Sequence, residues 1–399
     1  MPAAARWTLP LCFLIAVLEG YDLQVISSAG PYLQREMRLG PHELGWFFSA
    51  SLIGLAIGAI SGGWLGDRIG RKQVLGWSLV TLGLFTLGSA VAHDYALLMV
   101  MRVLAGIGLG GAMPTLIAMV TELSGGVKTT SAVTTMICGQ PLGGIISALV
   151  GKGLAASYGW EVLFAIGGVA TIATIPLVLH ALPETRATSV RSSTVRLPTG
   201  QALFGDGRAR ETSLLWVVFI LTLALLSILL SWTPLLVIGK GLPREVGLSA
   251  IIAINLGGIV GGLIASRAID HLGVRWPMLA LYALMAFAFQ RLSGVTATLP
   301  LLFAAFLVGV GVLGAQFTLY GIAPRIYPLA GRATGVGLAV AMGRIGSVGG
   351  PLVIGSLLGQ GASAETAIRV MIPIALAAGL GLFVLTLVSG TKLKPQPGT

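Results

Sequence analysis

The chain has 399 residues, of which 55% are hydrophobic and only 10% charged, against roughly 25% charged in soluble domains. That balance excludes an ordinary soluble enzyme or binding module and indicates an all-α protein that crosses a membrane many times. A net charge of +11 would suit a nucleic-acid binder, but the bases gather in the connections between apolar runs, where membrane topology accounts for them.

Apolar runs of membrane-crossing length recur twelve times, near residues 7–29, 44–66, 73–92, 95–118, 130–151, 161–182, 212–237, 246–266, 276–292, 299–322, 333–358 and 366–389. The first reads as a retained span, because Met1 to Arg6 is short and weakly charged and no cleavage-type ending follows. It contains two carboxylates, Glu19 and Asp22, each costing ~2.5–3.5 kcal/mol at such depth. Three residues apart, they share one helical face, with Tyr21 on an adjoining face. That face is expected to line a polar cavity.

Span two ends in Gly63-Trp64-Leu65-Gly66-Asp67-Arg68-Ile69-Gly70-Arg71-Lys72, where Asp67 and Arg71 can pair across a helix end. Span four contains Arg102. Counting 1.5 Å per residue from the span ends places it and Asp22 at a similar depth, ~10 Å below one surface. A pair between them would neutralise both. Glu19 lies a turn deeper, and Arg344 in span eleven is near the midplane. Gly106, Gly108 and Gly111 in span four match a dinucleotide-binding spacing, but no strand precedes them, so they read as a helix-packing face. Asn255 in span eight and Gln316 and Tyr320 in span ten are polar candidates for the cavity wall. Trp232 and Phe317 could stack on an aromatic ring, whereas Trp46, Phe47 and Phe48 read as interface anchors near a span end.

Residues 183–211 form the one long polar connection, rich in Ser, Thr and Arg, and read as a flexible linker between residues 1–182 and 212–399. The two halves are related. An offset of 203 residues maps Asp67 to Asp270, Gly70 to Gly273, and Gly106, Gly108 and Gly111 to Gly309, Gly311 and Gly314. Lys and Arg concentrate on the face shared by the two termini and the linker, including Arg68, Arg71, Lys72, Arg186, Arg191 and Arg196. The positive-inside rule therefore places both termini in the cytoplasm. Cys12 and Cys138 lie in apolar runs and the four histidines are scattered, so neither a disulfide framework nor a metal site is expected. No nucleophile–base arrangement or P-loop occurs, so the chain reads as neither an enzyme nor an ATP-driven pump, and no cofactor is expected.

The loop around Asp67 resembles the signature of the major facilitator superfamily. Arg102 with Gly106, Gly108 and Gly110, Pro183-Glu184-Thr185, and Arg332-Ala333-Thr334-Gly335 fit the same family. Glu19-Gly20-Tyr21-Asp22, followed by Gly30-Pro31, resembles the first-helix motif of its aromatic acid:proton symporters, with Glu19 where that motif has Asp. The Glu-Gly-x-Asp-Leu-Gln form is most similar to the hydroxyphenylpropionate transporters of that family. The resemblance implies twelve helices in two pseudo-symmetric six-helix bundles. It also implies import of a small aromatic carboxylate with protons, by a monomer in the inner (cytoplasmic) membrane. By the same resemblance Glu19 and Asp22 serve proton coupling and Arg102 and Arg344 hold the substrate carboxylate, while Tyr21, Asn255, Gln316 and Tyr320 are further substrate-binding candidates from their place in the spans. Asp67, Arg68, Arg71 and Glu122 would form a gate. Gly139-Gln140-Pro141-Leu142-Gly143-Gly144 departs from the antiporter signature at Gln140, which weakens the alternative of a proton-coupled exporter. A non-transporting membrane sensor is the remote alternative. Burial favours the neutral form of an acid and a nearby arginine favours its charged form. Glu19, farther from Arg102, is therefore the expected proton carrier, and Asp22 the expected partner of Arg102.

Overall fold

The structure, a computed structural model, describes residues 3–123, 133, 135–182 and 198–390, and among these the regular structure is helical throughout. Contacts divide the chain into two compact units, Met1–Val190 and Arg191–Thr399. The first holds α1 (Ala3–Glu36), α2 (Pro41–Ile69), α3 (Arg71–Ala90), α4 (Tyr95–Leu123), α5 (Gly139–Gly153), the single turn α6 (Ala155–Tyr158) and α7 (Glu161–Ala181). The second holds α8 (Thr199–Phe204), α9 (Ala209–Gly239), α10 (Arg244–Leu272), α11 (Arg275–Gly294) and α12 (Thr298–Ile326). It continues with α13 (Arg332–Gly359), α14 (Ala364–Arg369) and α15 (Met371–Val388).

Ten helices among the described residues are long and apolar enough to cross a membrane, α14 and α15 counting together as one. The other two predicted spans are helices as well. One is α5, with 15 described residues, and the other is α11, whose 20 residues include Arg275, Gln290 and Arg291.

The repeat seen in the sequence is reproduced in the packing. In the first unit α2 packs on α4, α1 on α5, and α3 on both α4 and α7. In the second, α10 packs on α12, α9 on α13, and α11 on both α12 and α15. The crossings coincide residue by residue. A Cβ added to Gly54 would sit 2.0 Å from the Val103 carbonyl oxygen, and one on Gly257 would sit 2.1 Å from that of Phe306. A Cβ on Gly143 would meet the Val17 carbonyl oxygen at 1.9 Å, and one on Gly346 the Ile220 carbonyl oxygen at 1.9 Å. Each glycine and each partner is displaced by the same 203 positions. Small residues let membrane helices approach closely where no hydrophobic drive holds them together. Gly106 and Gly108 serve this purpose against Ser51 and Leu82. The turns repeat too, since Gly70 (φ 103°) joins α2 to α3 and Gly273 (φ 73°) joins α10 to α11. Both glycines take a backbone conformation that disfavours any side chain.

Two expectations change. Of the predicted linker, residues 183–197 lie outside the described residues, but Thr199–Phe204 form a helix, a 3-10 turn follows over Gly205–Gly207, and α9 begins at Ala209, so this part is ordered structure rather than flexible coil. Ala202 and Leu203 of α8 are buried, Thr212 Oγ1 donates to the Leu203 carbonyl (2.7 Å), and Arg208 donates to Asp206 (2.8 Å) and to the Gln201 carbonyl (3.0 Å). A six-residue helix shows too little periodicity to be read from sequence. Phe47 and Phe48, expected as interface anchors, are fully buried with ring centroids 5.7 Å apart. Only Trp46 is exposed, its indole donating to His42 (3.3 Å).

Candidate functional site

In the first unit, α1, α3, α4 and α7 bring together a buried polar cluster. Asp22 of α1 and Arg102 of α4 form an ion pair at 3.3 Å with almost no solvent exposure. The pairing inferred from depth counting is therefore present. Two hydroxyls one turn apart on α3 complete it. Arg102 donates from Nε to Ser89 Oγ (2.9 Å) and from Nη2 to Thr86 Oγ1 (3.1 Å), while Thr86 Oγ1 donates to Asp22 Oδ1 (2.5 Å). Ser89 in turn donates to the Phe85 carbonyl (2.8 Å), which turns its lone pairs toward the guanidinium. The Phe164 ring of α7 faces Arg102 with its centroid 4.8 Å from Cζ. Each of these contacts favours a buried cation. Asp22 Oδ2 has no hydrogen-bond partner among the described residues.

Glu19, one turn along α1, is also buried, and its Oε1 has no partner among the described residues. The Gln140 side chain of α5 lies beside its carboxyl group. Gly20 sets that contact, because α5 crosses α1 so closely that a Cβ there would overlap the Gln140 backbone. The same seam is closed farther along by Ser28 with Ser147 (3.1 Å) and by Tyr32 donating to the Gly151 carbonyl (3.0 Å).

Tyr21 is not a free cavity residue. Its hydroxyl donates to the Leu163 carbonyl (2.8 Å) and its ring packs on Gly167, so it fastens α1 to α7. Arg102 also departs from its expected role. With no exposure and three donor groups committed, it holds Asp22 and presents no open face to a substrate carboxylate. Arg344 on α13 is different: it is half-buried and has no carboxylate within ion-pair distance among the described residues.

The other second-unit candidates divide. Asn255 is fully buried and spends a donor on the Ile251 carbonyl of its own helix (2.9 Å). Gln316 is buried with both ends of its amide lacking partners among the described residues, and Tyr320, one turn on, tilts its ring against Phe219 of α9 with centroids 5.9 Å apart. Trp232 is buried and donates to the Pro351 carbonyl (3.1 Å), a bond between α9 and α13. At the gate loop, the side chains of Asp67 and Glu122 lie outside the described residues. Arg68 is exposed with Cζ 3.8 Å over the Trp64 ring, and Arg71 opens α3 half-buried. In the second unit Asp270 meets Arg325 (3.8 Å), and Arg325 stands 203 positions from Glu122, so the two copies of the loop carry different charges.

Thr86, Ser89, Phe164 and Gln140 were not singled out as functional from the sequence. Thr86 and Ser89 carried a weak signal, two hydroxyls at i and i+3 in an apolar span, which is also common in ordinary helix packing. Among the described residues no group of three His, Cys, Asp or Glu side chains could hold a metal ion.

The sequence model of the Major Facilitator Superfamily matches residues 12–267. The chain is 36% identical over 378 residues to the 3-(3-hydroxy-phenyl)propionate transporter of Escherichia coli, covering 95% of this chain and 93% of that protein. It is 31% identical to the 4-hydroxybenzoate transporter of Acinetobacter baylyi, over 97% of this chain and 92% of that one. Among solved structures it resembles a D-xylose-proton symporter, with a TM-score of 0.77 at 18% identity and 97% coverage of both chains. It also resembles an inward-facing, occupied bacterial homologue of the lysosomal transporter Spinster, with a TM-score of 0.80 at 15% identity. At those identities the two structures speak for the fold alone. A buried charge cluster within a duplicated helical bundle and a family match over most of the chain agree: the protein belongs to the major facilitator superfamily, and it is a multi-pass membrane transporter, not an enzyme.

Proposed function

We propose that the protein imports a small hydroxylated aromatic carboxylate together with protons, working as a monomer in the inner membrane with both termini cytoplasmic. The observation that carries this reading is how the membrane charges sort. Asp22 and Arg102 neutralise each other, while Glu19 and Arg344 have no opposite charge beside them among the described residues. That leaves Glu19 as the acid that takes up a proton while the Asp22–Arg102 pair is closed, and Arg344 as the cation that receives an anion. The names of the relatives, transporters of hydroxyphenylpropionate and hydroxybenzoate, support an aromatic acid as that anion.

In this reading Arg344 receives the substrate carboxylate, and Gln316 with Tyr320 meets the ring and its hydroxyl. A buried amide with nothing to bond is costly, so a ligand hydroxyl that satisfies it is favoured. Glu19 carries the proton and Gln140 holds its carboxyl in place. Asp22 and Arg102 join α1 to α4, and their contact links the state of the site to the arrangement of the helices. Alternating access then exposes the bound substrate to one side of the membrane at a time. Asp67, Arg68, Arg71 and Glu122 form the cytoplasmic gate.

Uptake of labelled 3-(3-hydroxyphenyl)propionate into vesicles with an alkaline interior tests this. The native protein is expected to accumulate substrate against its gradient. Glu19→Gln is expected to lower accumulation about tenfold more than it lowers substrate exchange, the scale of a typical coupling free energy. Uptake indifferent to the pH gradient, or a Glu19→Gln protein that accumulates normally, would sink the assignment.

A further inference from the structure

The geometry around Arg102 points to a role for the α3 hydroxyls beyond packing. We infer that Thr86 and Ser89, with the Phe164 ring, form a neutral cradle that keeps Arg102 buried when Asp22 is neutral, so that the Asp22–Arg102 pair can open and close without unfolding. This rests on the proton-coupled reading above, but only for its purpose; the cradle itself stands on the contacts.

A guanidinium has five N–H donors and cannot lose its charge. Burying one beside a carboxylate is tolerable, but removing the partner strands the charge, at a cost of about 3–5 kcal/mol. Arg102 is fully buried, yet only Nη1 depends on Asp22. Nε ends on Ser89 and Nη2 on Thr86, and the π face of Phe164 lies on the cation. Both hydroxyls are already oriented as acceptors. Ser89 sends its proton to the Phe85 carbonyl, and Thr86 sends its proton to Asp22. If Asp22 gains a proton or its contact breaks, two acceptors and the ring remain.

The carboxyl is built to match. Oδ1 accepts from both Arg102 and Thr86, while Oδ2 is left without a partner among the described residues, the oxygen on which a proton can reside while Oδ1 keeps both bonds. The titratable groups near Asp22 are Arg102 on α4, and Glu19 and Tyr21 on its own helix; the α3 contributions are the uncharged Thr86 and Ser89. Among the described residues the second unit has no counterpart, because offset 203 places Ala305 at the Arg102 position, Leu225 at Asp22, Phe289 at Thr86 and Leu292 at Ser89. The cradle is therefore not a packing device that the repeat requires. Thr86 and Ser89 are positioning residues acting through Arg102.

Thermal unfolding of the full-length protein in detergent, combined with transport in vesicles, tests this. Asp22→Asn imitates the protonated acid, since its carbonyl oxygen can still accept from Arg102 and Thr86. Its melting shift is expected to be small in the native background. In Thr86→Val or Ser89→Ala backgrounds it is expected to exceed the sum of the separate shifts. Thr86→Ser, which keeps the hydroxyl, is expected to restore the native tolerance. Should the combined variants not fold, Thr86→Val alone decides: it is expected to lose proton-driven accumulation about tenfold more than counterflow, the scale of one hydrogen bond to a charged group. Melting shifts that simply add, or a Thr86→Val protein whose accumulation and counterflow fall together, would overturn the proposal. If no variant, nor the native chain, responds to a pH gradient while the melting shifts remain non-additive, the cradle stands and the proton-coupled reading fails.

Discussion

Arg102→Leu is expected to destabilise the first unit by about 3–5 kcal/mol and to abolish transport, because it leaves the Asp22 carboxylate buried without its cation. Adding Asp22→Asn to the same chain is expected to recover much of the stability and none of the transport. The recovery follows from what is left behind. With Arg102 gone, Asp22 keeps only the Thr86 hydroxyl on Oδ1, and no donor reaches Oδ2 among the described residues. An amide is far cheaper to bury there than a charged carboxylate. Apparent melting temperatures of the native protein, the two single variants and the double variant measure the coupling directly. A native-like Arg102→Leu protein, or a double variant no more stable than Arg102→Leu, would show that the pair contributes little to holding α1 against α4.

The second large effect lies at the crossings. Gly143→Val and Gly346→Val should each cost about 3 kcal/mol or more, since the new side chain would have to share space with a carbonyl oxygen that its Cβ alone already overlaps at 1.9 Å. The two sites occupy equivalent positions in the repeat, α1 on α5 and α9 on α13, so their losses should be similar. Gly349→Ala is the control, with nothing within 4 Å of the added atom, and should change stability by less than about 0.5 kcal/mol. Folded yield after membrane extraction and the melting temperature both report this. Equal tolerance at all three positions would mean that the helices can separate at these crossings at little cost.

Much of this architecture is legible in the sequence because it is periodic. The 203-residue offset, read from a handful of Asp and Gly positions, locates backbone contacts that agree to within a few tenths of an ångström. Depth counting along two spans finds Asp22 and Arg102, since 1.5 Å per residue is a reliable ruler in a helix. It cannot give azimuth. Arg102 therefore read as a substrate ligand when its charge is turned inward onto α1 and α3, and Tyr21 read as part of the cavity when its hydroxyl is tied to α7. Phe47 and Phe48 misled for the same reason, since nearness to a span end says nothing of which side faces lipid. Thr86 and Ser89 were invisible as functional groups, and Gln140 stood out only as a departure from the antiporter signature, because uncharged polar residues are frequent in membrane helices and become meaningful only beside a charge. The helical stretch from Thr199 to Phe204 was hidden by its brevity.

The central claim, that substrate and protons move inward together, has a direct measurement. Vesicles containing the purified protein, held in weakly buffered medium with no imposed gradient, are given 3-(3-hydroxyphenyl)propionate while external pH is recorded. Symport predicts alkalinisation of the medium on each substrate addition, abolished by a protonophore and absent in Glu19→Gln vesicles. Substrate entry with no pH change, or with acidification of the medium, would contradict it.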